Sequence, residues 1–158
     1  LRAPLFLASA VIVPLFSWRR RWRPHAHVGD ALLALPFLLD TLGNLLGFYD
    51  EYPKTDDVLH ALNWVLLVLA FHAFRFRNTG HTRDAVFLGY GFGATAIIWW
   101  EAMEWAVSKD GWGGAGGLAL TYEDTIGDLI LSSTGGLIGS LLGVWWLGRK
   151  APPENDAG

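Results

Sequence analysis

At 158 residues the chain fits one domain, and with 52% hydrophobic and only 17% charged residues, against about 25% charged in an average soluble domain, it reads as a membrane protein. It has no cysteine, which removes disulfides, thiolate metal sites and cysteine nucleophiles. The net charge is −3 and no basic patch is interleaved with stacking aromatics, so nucleic acid has no support as a partner.

The first apolar run, Ala3 to Trp18, falls short of the ~20 residues that a span needs. The chain starts at Leu1 rather than Met, and a missing upstream piece or a tilt adjustment would make up the deficit. Positive charges follow this run (Arg19, Arg20, Arg21, Arg23), the reverse of a cleavable signal peptide, so it is read as a span. Val28 to Tyr49 is a second run, interrupted by Pro36, Asp40 and Asn44, and an acidic connection with Pro53 follows it. Asp57 to Phe74 is a third, containing His60, Asn63 and His72, and Arg75 to Arg83 is a basic turn. Ala85 to Val107 is a fourth, with Glu101 and Glu104 near its end, followed by a Gly-rich loop to Glu123. Asp124 to Gly148 is the fifth, and the polar tail 151–158, with Pro152 and Pro153, is expected to be disordered. The fold class is therefore all-α: a polytopic bundle of about five transmembrane helices forming one domain over residues 1–150.

Lys and Arg collect on the cytoplasmic side of membrane proteins. Nine lie in the connections 19–27, 75–83 and 149–150, against three (Arg2, Lys54, Lys109) in the opposite set. The N-terminus, the acidic connection and the Gly-rich loop then face outward, and the C-terminus is cytoplasmic. Trp18, Trp22, Trp145 and Trp146 fall at the inner boundary and Trp99, Trp100, Trp105 and Trp112 toward the outer one, as interfacial belts require.

That topology brings polar residues to one depth. Glu101 and Glu104 lie about 60° apart on the fourth helix, and a carboxylate inside a span costs on the order of 3 kcal/mol on insertion scales. Asp56 and His60 share one face of the third helix, extended by Asn63, and Asp124 and Asp128 share one face of the fifth, extended by Ser132. Asp40 and Asn44 lie in the outer half of the second. Spans two to five hold no Lys or Arg, so clustered carboxylates need protons or a metal as compensators. Oxygen ligands with one imidazole suit Mn, Fe, Mg, Ca or Zn, in the manner of dimetal–carboxylate helical bundles, although no Glu-x-x-His occurs.

The plain alternatives stand beside this. Asp56, Asp57 and Asp124 sit where Asp also serves as an N-cap. Asp40 with Asn44 also suits a helix–helix hydrogen bond, His72 an interface histidine, and His25, His27 and His81 contact with lipid headgroups. Gly135, Gly139 and Gly143 form a small-residue stripe that packs within the bundle or against a protein partner.

The patterns Asp56-x-x-x-His60, Glu101-x-x-Glu104-Trp105 and Tyr122-x-Asp124-Thr125-x-x-Asp128-Leu129, followed by a Gly-rich helix, resemble the small bacterial inner-membrane proteins of the YjdF type, which are similar in outline to VanZ-like proteins. The resemblance covers about residues 28–147. It implies a compact helical protein of the bacterial inner membrane with a clustered acidic site, and carries over no reaction. The expected metal ligands are His60, Glu101, Glu104 and Asp128, with Asp124 and Asp56 as further ligands or supports, in an outward-facing pocket that acts on a lipid-linked substrate. The competing expectation is a non-catalytic accessory subunit of a larger respiratory or photosynthetic membrane complex, its acidic cluster a structural network.

Overall fold

The computed structural model describes residues 11–12, 14–15, 17–19, 26–76, 83–109 and 121–148, and among them there is helix and no strand. The described positions of the first apolar run, all within 11–19, are helical, and the rest of that run lies outside the described residues. So do residues 110–120 of the Gly-rich loop, most of the basic turn with His81, and the tail 151–158.

Five further helices follow: α1 (His27–Leu45), α2 (Phe48–Glu51), α3 (Thr55–Arg75), α4 (Arg83–Lys109) and α5 (Tyr122–Gly148). The second apolar run is not one helix. Gly47 takes φ 72°, a left-handed conformation that costs glycine nothing, and its N–H closes on the Asn44 carbonyl, ending α1 before the short α2 turns the chain back. Pro36 is buried inside α1 without interrupting it. The N-cap of α5 is Thr121 rather than Asp124, since the Asp124 amide donates to Thr121 Oγ1 at 3.1 Å; Asp124 lies in the first turn, where a carboxylate meets the positive helix end. The helix α3 has Asp56 and Asp57 in its first turn and no side-chain cap.

Among the described residues three helices are long and apolar enough to cross a membrane: His27–Leu45, Thr55–Arg75 and the stretch Tyr122–Trp146 of α5. The 27-residue α4 is as long as α5 but is diluted by glycines, by Trp99 and Trp100, and by its two glutamates.

The centre of the bundle is the α3–α5 pair. A β-carbon on Gly135 would run into the Ala61 backbone and one on Gly139 into that of Val65, while Gly143 faces the His72 ring. The small-residue stripe therefore faces α3 of the same chain, and the close approach it permits is made inside the bundle. Helix α4 packs on α5, and α1 packs on α3. His72 is fully buried near the C-terminal end of α3, its Nε2 3.0 Å from Ser140 Oγ, which in turn donates to the Val86 carbonyl of α4 at 2.7 Å.

The interior holds polar side chains beside apolar ones, and large apolar residues cover much of the surface. Ser132, Ser140, His72, Asp128 and Glu101 are buried, whereas Phe87, Ile98, Trp99, Ile130 and Leu45 face outward, with Trp99 73% exposed. A water-soluble bundle places apolar residues inside and keeps exposed apolar patches small.

Candidate metal site

The chain direction sets the site. Helices α3 and α5 start, and α4 ends, at the same end of the bundle, so Asp56 and His60, Glu101 and Glu104, and Asp124 and Asp128 come to one level. Within α3, the four-residue spacing puts Asp56 and His60 on one face, as the same spacing does for Asp124 and Asp128 in α5.

His60 is the hub. Its Nδ1 lies 3.0 Å from Ser132 Oγ of α5, while its Nε2 lies 3.7 Å from an Asp128 oxygen and 3.9 Å from an Asp56 oxygen. Two groups of ligand atoms converge on it, one from Asp56, His60 and Asp128 and the other from His60, Glu101 and Glu104, the atoms within each lying no more than 4.8 Å apart. Separations of 3.7 and 3.9 Å are too long for direct hydrogen bonds. They fit a shared ion, because two ligand atoms each about 2.1 Å from a metal stand about 3 Å apart when adjacent and about 4.2 Å when opposite.

Glu101 carries the strongest single signal. The residue is 8% exposed, and neither of its sheltered carboxylate oxygens has a hydrogen-bond partner. A buried polar atom without a partner costs ~1–3 kcal/mol, and more when it bears charge. Its neighbour Glu104 takes a hydrogen bond from the Trp100 side chain, one turn back on the same helix. Asp128, 4% exposed, faces His60 from α5, and Asp56 is half-exposed at the mouth.

The six residues expected from the sequence are thus not equivalent. His60, Glu101, Glu104, Asp128 and Asp56 fall into the two tight groups, whereas Asp124 is exposed and lines the adjoining cavity without entering either. Of the pair Asp40 and Asn44, Asp40 makes a hydrogen bond between helices, to α2. Its carboxylate accepts the Tyr49 hydroxyl at 2.7 Å, and the Asn44 amide donates to the backbone carbonyl of Asp40.

A cavity of about 120 Å³ adjoins the cluster. Asp40, Asp56, His60, Glu104, Asp124 and Asp128 form its polar wall, and Phe37, Leu59, Trp64, Leu67 and Trp100 its apolar wall. Among the described residues no Lys or Arg lines it. The aromatic wall was not apparent from the sequence, because Phe37 of α1 and Trp100 of α4, 6.5 Å apart between ring centroids, come from distant segments and meet only in the folded bundle. Tyr49 was missed for a similar reason: its reach back to Asp40 depends on the Gly47 turn, and helical periodicity does not reveal it.

Neither the curated proteins nor the solved structures include a match to this chain. A family model matches residues 3–149, nearly the whole sequence, and it agrees with the apolar surface and the spanning helices described above. The chain belongs to the family of predicted membrane proteins described as DUF2238.

Proposed function

We propose that this membrane protein crosses the bacterial inner membrane five times and binds one divalent metal ion in a pocket facing the periplasm, where it acts on a lipid-linked substrate. The observation that carries the reading is the convergence of His60, Asp128, Glu101, Glu104 and Asp56 from three helices into two groups that share His60, the ligand atoms of each within 4.8 Å of one another, with the buried Glu101 carboxylate lacking a hydrogen-bond partner among the described residues. Six carboxylates, gathered in and around a site that no described Lys or Arg lines, need protons or a cation, and a divalent ion supplies two charges together with four to six coordination positions. Oxygen donors with one imidazole select a hard or borderline ion such as Mn, Fe, Zn, Mg or Ca.

The ion's chemistry is to polarise an oxygen of the substrate or to activate water. The protein's part is to hold it at the boundary between a polar and an apolar wall. A phosphate or hydroxyl head then meets the ion while a chain lies along Phe37, Leu59, Trp64 and Leu67. The nine-to-three bias of Lys and Arg supports the outward orientation of this end.

Metal analysis of protein purified in mild detergent tests the reading. The expected result is about one divalent ion per chain, or stoichiometric uptake of Mn²⁺ or Zn²⁺ by chelator-treated protein, with Glu101→Gln and Asp128→Asn each abolishing it. Wild type that takes up no ion, and whose melting temperature ignores chelator, rejects the metal site. Stoichiometric co-purification of such metal-free protein with larger subunits would move the assignment to an accessory subunit.

A further inference from the structure

We infer that Ser132 is the positioning residue of the metal site: its hydroxyl fixes the tautomer and the plane of the His60 ring so that Nε2 faces the carboxylates as a ligand. The inference rests on the metal reading above and goes beyond it, since Ser132 touches no ion.

Three observations carry it. Ser132 Oγ lies 3.0 Å from His60 Nδ1, and Ser132 is fully buried. The opposite ring nitrogen, Nε2, is the one that lies beside Asp128 and Asp56. Ser132 sits one turn beyond Asp128 on α5, so a single helix face presents both a carboxylate to the ligand side of the imidazole and a hydroxyl to its back.

A neutral imidazole carries one ring proton, and an ion bound at Nε2 requires that proton to be on Nδ1. There it has one acceptor, Ser132 Oγ. A hydroxyl also donates, so without metal Ser132 can donate a hydrogen bond to Nδ1 while Nε2–H turns toward the carboxylates. Ser132 thus serves both states and changes from donor to acceptor when the ion enters. Loss of such a partner behind a metal-bound histidine typically lowers metal affinity ~10–100-fold.

The protein contains its own control. His72 and Ser140 form a similar pair at the same 3.0 Å between the same two helices, through Nε2 and more deeply buried, at the other end and away from the carboxylates. Ser132→Ala and Ser140→Ala each remove a His–Ser contact, Ser140→Ala together with the bond to the Val86 carbonyl, and only Ser132 adjoins the site. The experiment titrates detergent-purified wild type and both variants with Mn²⁺ and Co²⁺, and records the ¹⁵N shifts of the imidazole nitrogens. The expected result is a 10–100-fold weaker affinity for Ser132→Ala, with an altered Co²⁺ absorption band and a mixed His60 tautomer. Ser140→Ala binds within threefold of wild type. Equal affinity in Ser132→Ala and wild type overturns the inference while leaving the metal site intact. An equal loss in both variants overturns it as well, by assigning the effect to helix packing. Failure of wild type to bind either ion counts against the metal reading itself and removes the inference with it.

Discussion

Glu101 is where burial and charge conflict most sharply. Its carboxylate is sheltered within a helix bundle with Glu104 and Asp128 for neighbours and no hydrogen-bond donor of its own. Replacing it with Gln removes a charge at almost constant volume, and the sign of the effect on stability depends on what balances that charge. With a divalent ion present, wild type is stabilised by mass action, about 2.7 kcal/mol at a hundredfold excess over Kd, and Glu101→Gln forfeits this. In excess chelator the substitution instead relieves crowding among acids and raises the melting temperature. The expected outcome is therefore a crossing: Glu101→Gln melts below wild type in saturating Mn²⁺ and above it in EDTA. A shift of the same sign under both conditions would show that the carboxylate has no cation to balance it. This residue was legible in the sequence because an ionisable group inside an apolar run has no inexpensive explanation. Asp124 was less so: helix-start aspartates read alike as caps or ligands, and only coordinates show Thr121 capping and Asp124 outside the tight groups.

At the level of elements, the α3–α5 seam joins the site to the fold. His60 on one helix and Asp128 and Ser132 on the other hold their distances because Gly135 and Gly139 bring the two backbones together just below them. A side chain at either glycine must push against main chain, which cannot rotate away as a flexible side chain does. Gly139→Leu is expected to cost ~1–3 kcal/mol by overpacking and to weaken metal binding at least tenfold by separating the ligands. Gly127→Ala on the same helix, where an added β-carbon meets nothing, should stabilise by up to ~1 kcal/mol through helix propensity and leave metal affinity unchanged. Thermal melts and Mn²⁺ titrations of the two variants check both statements, and equal metal affinity in Gly139→Leu and wild type would break the link between seam and site. The spacing of these glycines announced a close helix contact, but the residue that fills the groove is Ala61 or Val65, some seventy positions earlier, and spacing within one helix says nothing about its partner. The helices themselves were legible almost to their ends because hydrophobic runs of that length leave few alternatives. The break at Gly47 is the exception, since apolar character continues through Leu45, Leu46 and Phe48 while the backbone turns.

Across the whole molecule, the apolar exterior fits a membrane, and the charges outside the apolar runs argue for one direction across it. The connection between α2 and α3 sits at the metal-site end of the bundle and carries Lys54, whereas α4 begins at the opposite end with Arg83. The site is useful to an extracytoplasmic ion or lipid only if the first of these ends faces the periplasm. A chain with no native cysteine allows this to be decided one residue at a time. In intact cells with a permeable outer membrane, Lys54→Cys should react with a membrane-impermeant maleimide, and Arg83→Cys should react only after the inner membrane is opened. The reverse pattern would place the carboxylates on the cytoplasmic side, contradict the charge bias, and transfer the pocket to the cytosolic metal pool. The same geometry makes a second readout available: an impermeant chelator added outside should strip the ion from wild type in intact cells, lowering its melting temperature in the membrane by the same amount as in detergent. If the ion is removed only after lysis, Asp56 and Asp128 open to the inside, and a periplasmic substrate for this site is ruled out.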